Sequence, residues 1–171
     1  MNVNYRNEIL TQLAETYYKF LTSLDYNDEN FMVGIKEGKS KFLSNLNIYL
    51  ACKIIPNSKN NKYYTTDFVT EKALHQLMKE DHKHLIYEHI IPKQRYIQSV
   101  CENLASKGEL KQEFVFNQLN KYLWTATVTK AEDNLLSRTK MPKDWDTSNL
   151  LSRYEAANIT LIEHDKSYLL N

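Results

Sequence analysis

Glycine and proline are scarce in this sequence, three of each in 171 residues. A chain with so few turn formers is poorly suited to many short, turn-linked strands, so sandwiches and barrels give way to a helix-rich architecture. The same scarcity excludes a glycine-rich phosphate loop, a GxSxG elbow and a dinucleotide fingerprint. Cysteine is scarcer still: Cys52 and Cys101 stand too far apart for a zinc knuckle or a CxxC motif, and both read as buried thiols. No stretch approaches the ~18 uninterrupted apolar residues of a membrane span, and the opening MNVNYRNEIL lacks the basic start and apolar run of a signal peptide. The expected location is the cytoplasm, with no membrane partner. An excess of charge is missing as well. A formal net charge of +1 argues against a strongly basic phosphate-binding surface and against an acidic mimic of DNA. Lys93, Arg95, Lys107 and Lys111 still concentrate in one region, which permits nucleic-acid contact without predicting it.

What is present is helical periodicity. Ile9, Leu10, Leu13, Tyr17, Phe20, Leu21 and Leu24 follow three- and four-residue spacing and predict a helix over 5–24. Asp28 or Asn30 can cap a second helix whose stripe runs from Phe31 to Ile54 and stops before Pro56, with Gly34 and Gly38 weakening its first turns. The polar stretch PNSKNNKYYTTD reads as a loop, and Thr66 or Asp67 as the cap of a third helix. HLIYEHII suits a short strand or a buried segment; Pro92 closes it and opens a helix of roughly 93–106 that ends at Gly108. A further helix is predicted over about 109–121. YLWTATVT then alternates as a strand does, and Thr129 with Glu132 forms a capping box. A turn-rich loop, a short helix near NLLSRYEAANI and a last strand near ITLIEH complete the chain. The expected class is mainly α (α+β): an N-terminal helical hairpin over 1–56, a linker over 57–66 and a C-terminal α+β region over 67–171 with a two- or three-stranded element. One compact domain is equally compatible with this length.

Four of the five histidines, His75, His82, His84 and His89, fall close together among Glu80, Asp81 and Glu88. Imidazole and carboxylate are the donors that Zn, Mn and Mg accept, yet none of the spacings is a known ligand pattern such as HExxH. A solvated, histidine-rich helix end is the plainer reading. EHIIPK resembles the first motif of the HNH, or ββα-metal, nucleases, in which a strand ends in an acid-histidine pair followed closely by proline. The resemblance implies Glu88 as ligand of a divalent metal (Mg, Mn or Zn), His89 as general base on the attacking water, and Asn134, in AEDNLLS, as the residue that orients the base. The last histidine of the family has no counterpart; Asp144 or Asp146 would have to replace it, and the segment between His89 and Asn134 is longer than the family's. The combination of EHIIP, VTKAEDNLL, MPKDWD and RYEAANI also resembles a group of uncharacterised bacterial and prophage proteins.

Two functions follow. The first is an HNH-like nuclease, or a degenerate relative, from a bacterial defence or mobile-element system, with Lys93, Arg95, Trp124, Arg138, Trp145 and Arg153 as contacts for nucleic acid or a partner. It requires Glu88, His89 and Asn134 to lie within a few ångströms of a shared ion. The second is a non-enzymatic helical interaction protein, a phage- or plasmid-encoded inhibitor or regulator of a host protein, with no cofactor. Tyr17, Tyr18, Tyr26, Tyr63 and Tyr64 cannot all face one core, so some are expected on the surface, where a homodimer through the N-terminal helices is one use for them.

Overall fold

The computed structural model describes residues 3–169. In chain order the elements are α1 (Val3–Thr22), α2 (Glu29–Gly34), α3 (Lys36–Ile54), β1 (Phe68–Val69), α4 (Glu71–Met78), β2 (Leu85–His89), α5 (Ser99–Ser106), α6 (Gln112–Tyr122), β3 (Thr125–Thr129), α7 (Lys130–Asp133), α8 (Ser152–Glu155) and β4 (Ile162–Glu163), with single helical turns at 62–64, 94–98 and 167–169. The protein is mainly helical with one small sheet, an α+β arrangement, and no helix among the described residues is long and apolar enough to cross a membrane.

The N-terminal stripe becomes one wall of the largest core. Ile9, Leu10, Leu13, Tyr17 and Leu21 of α1 pack with Leu43, Leu50 and Ala51 of α3 and with Cys101, Val115 and Leu119 of α5 and α6. The single helix predicted from Phe31 to Ile54 is broken at Ile35, where φ is −90° and ψ 0°. Asp28 caps α2 through its side chain, but α2 buries none of its residues, so packing does not hold it in line with α3. Further along, Gly108 at φ 71° closes α5 as predicted.

The sheet has four strands in the order β2-β3-β1-β4, one more than the upper expectation. β1 was not foreseen: a helix capped by Thr66 or Asp67 was expected to cover Phe68 and Val69. Those residues instead pair in parallel with Ala126 and Thr127, and the cap moves to Thr70, whose hydroxyl accepts from the Ala73 amide. β2 runs antiparallel to β3, with Leu85 opposite Thr129, Tyr87 opposite Thr127 and His89 opposite Thr125. β3 is buried along its whole length, and the Thr129–Glu132 capping box launches α7 directly from it.

Alternation along the strands gives this sheet two unlike faces. Leu85, Tyr87, His89, Thr125, Thr127 and Thr129 look towards α3 and α4. Ile86, Glu88, Ala126 and Val128 look towards α7, α8 and the loop between them, where Leu136, Met141, Tyr154, Ile159 and Leu161 complete a second core.

Candidate functional site

Glu88 and His89 are successive residues of one strand, so their side chains leave opposite faces of the sheet. Their partners show this. Glu88 reaches Arg153 of α8, at 2.7 Å between Oε1 and Nη2, whereas His89 reaches Ser44 of α3, at 3.1 Å between Nε2 and Oγ.

On the Glu88 side the local cation is a side chain. Arg153 is 3% exposed and donates from Nη1 to the Ser137 carbonyl (2.6 Å) and from Nη2 to Glu88 and to the carbonyl of His89. It therefore staples β2 to the loop after α7, rather than offering itself as the surface contact expected from the sequence. Burial pushes the Glu88 carboxyl up from its ordinary range, against the opposing pull of the Arg153 guanidinium; Asp133 raises it further, while Arg138 lowers it. A guanidinium held by one carboxylate and two carbonyls satisfies that charge without a metal ion.

On the other side His89 is half-buried and kept neutral. Burial, with Lys93 and Arg153 nearby, pulls its imidazole down to about 3, and Nδ1 finds no hydrogen-bond partner. A ring so reluctant to take a proton is a weak general base near neutral pH. Around it lies a polar layer between α3 and the sheet: Asn47 donates to the Tyr87 hydroxyl (3.0 Å), and Lys93 donates to the Ser40 carbonyl (2.9 Å) and to Gln98 (3.0 Å). Lys93 thus serves the interior and is only half-exposed.

Asn134, the expected orienter of the base, is not beside His89. It is exposed after α7, in a depression that it shares with His84, which precedes β2, whereas His89 ends that strand. Five residues of extended chain separate the two histidines by roughly 16 Å. Asp144 and Asp146 are exposed on the loop over 141–149, where Asp146 accepts from Ser148 through both its amide and its hydroxyl and is held low by those bonds. Among the described residues no group of three His, Cys, Asp or Glu side chains is arranged to hold a metal ion.

The remaining contact candidates scatter. Trp124 carries the Arg6 guanidinium over its ring at 3.5 Å from the centroid. Trp145 packs edge-on against Tyr96 (5.1 Å) and donates to the Asn149 carbonyl, with Arg95 exposed above Tyr96. Arg138 is exposed. Some of the five N-terminal tyrosines were expected on the surface, and none is exposed: Tyr17 and Tyr64 are buried and the others half-buried, with Tyr17, Tyr18 and Tyr26 packed into the core that α5 and α6 complete. Among the described residues Tyr49 is the exposed tyrosine, at 61%.

Sequence reasoning missed a buried polar network centred on His164 and Asp67. His164 is fully buried, with Nδ1 3.1 Å from the Thr66 hydroxyl and Nε2 2.9 Å from the Tyr168 hydroxyl; Thr66 also meets Thr127 at 3.0 Å. Beside it Asp67 accepts from the amide and hydroxyl of Thr125, both at 2.9 Å, and from Arg6 at 3.1 Å. The alternating threonines of TATVT were the available signal, since a central strand with one hydroxyl-lined face needs buried polar partners for that face. Compared with protein-family models, curated proteins and solved structures, the chain finds no match in any of the three.

Proposed function

We propose that this chain is a non-enzymatic helical interaction protein, an inhibitor or regulator that docks on a protein of its host through α2. The observation that carries this reading is the exposure of an apolar helix: α2 buries nothing, and leaves Phe31 at 39% and Val33 at 69% in solvent. Exposed apolar side chains grouped on one element mark contact surfaces. The geometry at Glu88 supports the same reading from the other direction. The HNH-like alternative asks for an acid, a base and an orienting amide around one ion; here Arg153 engages the acid, the base faces α3, and the amide lies at the far end of β2.

The test has two arms. Purified protein with Mg²⁺, Mn²⁺ or Zn²⁺ is expected to leave supercoiled plasmid and single-stranded DNA and RNA intact; cleavage abolished by EDTA and by His89→Ala would overturn the proposal in favour of the nuclease. In cells, a photo-crosslinking residue at position 33 is expected to give one discrete protein adduct that disappears with Phe31→Glu, and the same probe at the exposed Asn103 of α5 to give none. Equal labelling from both positions would sink the assignment of the surface.

A further inference from the structure

Residues 162–169 form a strap held down by polar pins. β4 pairs antiparallel with β1, the His164 amide donates to the Asp67 carbonyl (2.9 Å), and Asn57 donates to the Leu169 carbonyl (2.9 Å). The Lys166 ammonium turns inward and donates to the carbonyls of Thr66 (2.7 Å) and His164 (3.0 Å). The apolar share of the strap is small. The enclosed members of the core beneath it, Tyr64, Val69, Ala73, Leu77 and Leu85, come from other segments, and Ile162, Tyr168 and Leu169 lean on them half-buried. A two-residue ladder with so little buried apolar surface can open locally while the rest of the fold stays closed.

The hydrogen bonds around His164, the one fully buried residue of the strap, fix its charge. The Thr66 hydroxyl donates to the Phe68 carbonyl (3.0 Å) and the Thr127 hydroxyl to the Tyr63 carbonyl (2.9 Å), so the Thr66 oxygen accepts from Nδ1 of the ring. That leaves Nε2 to accept from the Tyr168 hydroxyl. A second proton on the ring would oppose that hydroxyl's hydrogen and set a charge beside the Lys166 ammonium. The other charged groups around the ring, among the described residues, are Asp165 and Asp67, the latter paired with Arg6. Bonds from the Ser167 amide and hydroxyl hold the Asp165 carboxyl below its ordinary range, and burial lowers Lys166 only to about 8, so neither changes charge between pH 7 and pH 5. The geometry points to a latch: the strap is closed while His164 is neutral, and acid releases it from β1 by a local opening that leaves β1, β2 and β3 paired. Released into water the ring takes a proton near 6.5, whereas burial holds it to about 3 in the closed strap. Below 6.5 each pH unit therefore favours the open form by up to about tenfold. The latch is separate from the α2 surface and does not rest on the function proposed above.

The test is amide hydrogen exchange, followed by NMR on the full chain at pH 7 and pH 5 and corrected for intrinsic rates. Protection of the residue 164 amide is expected to fall about 25-fold between the two, the ratio for one site that titrates near 6.5 when open and about 3 when closed. At both pH values it should stay below the protection of Val128 in the buried strand β3. Tyr168→Phe removes one pin and is expected to lower protection at residue 164 by the same factor at either pH, while His164→Gln is expected to abolish the pH dependence. Any of three results overturns the proposal: residue 164 exchanging in step with Val128 at both pH values, so that the strap leaves only when the chain unfolds; protection there indifferent to pH; or a pH dependence that survives in His164→Gln. Should His164→Gln fail to fold, Tyr168→Phe decides, because unchanged protection at residue 164 in that variant would show that the ring and its hydroxyl partner do not hold the strap.

Discussion

The two faces of the β2–β3 pair solve the problem of buried polarity in opposite ways. Towards α3 and α4 the sheet presents threonines, a tyrosine and a histidine, and their polar atoms are spread over several partners: Thr127 with Thr66 and the Tyr63 carbonyl, Tyr87 with Asn47, and Thr125 with the Asp67 carboxylate, itself paired with Arg6. Towards α7 and α8 the sheet is apolar, and its polarity is confined to Glu88 and Arg153. Hydrogen bonds shared among several partners lose less when one is cut. A single desolvated ion pair loses a great deal when one partner goes, because the survivor is left charged in an apolar setting.

That contrast can be pressed hardest at Arg153. Arg153→Met strands Glu88 and is expected to cost about 3–5 kcal/mol, read as a fall in denaturation midpoint at constant m-value. Replacing both partners, in Glu88→Leu/Arg153→Met, should recover most of the loss; a double variant as unstable as the single one would mean that Arg153 acts through its bonds to the Ser137 and His89 carbonyls and not through the ion pair.

Acid is the next lever, and it acts on both sides with opposite signs. Burial holds His89 and His164 down to about 3, so the unfolded chain takes up a proton on each near 6.5 while the native chain does not. Stability is therefore full above 6.5 and falls as pH drops from there towards 3, by at most about 1.4 kcal/mol per pH unit for each ring. Glu88 runs the other way. Its raised carboxyl protonates in the native state before it does in the unfolded one, which adds stability as pH falls towards the ordinary carboxylate range. Urea titrations between pH 7 and pH 5 should show the histidine slope, and His164→Gln should flatten it; an unchanged slope in that variant would remove His164 from the account.

The smallest effect belongs to the hydroxyl face. Thr127→Val keeps the shape of the strand but leaves Thr66 and the Tyr63 carbonyl short of a partner, at a cost of roughly 1–3 kcal/mol. A loss as large as that of Arg153→Met would show that this network behaves as one unit, and the contrast between the faces would dissolve.

The features legible in the sequence were those set by neighbours in the chain. The cap at Asp28, one of two candidates with Asn30, the Thr129–Glu132 box, the glycine after α5 and the alternation of TATVT each involve residues within a turn or two of one another. The misses are long-range. β1 is two residues long and exists because Ala126 and Thr127 lie alongside it. Nothing near Glu88 announces Arg153, which lies 65 residues further on, and the buried place of His164 depends on Thr66, 98 residues before it. The motif reading at Glu88-His89 identified the end of a strand correctly, but a pattern of letters does not tell which face of the strand each side chain takes or what waits there.

No two neighbouring strands of this sheet are joined by a hairpin. β2 and β3 are separated by α5 and α6, β1 and β3 by everything from α4 to α6, and β1 and β4 by most of the C-terminal half. Register is consequently never set by a turn; it emerges when distant segments meet, and it must wait for large loops to close before any ladder bond rewards them. The helices can begin to form as local units, while the sheet comes together late. The crossing between α5 and α6 at Gly108 is then a place where the chain should accept added residues cheaply, since lengthening a loop that is already long raises its closure cost by only about 0.6 kcal/mol per doubling.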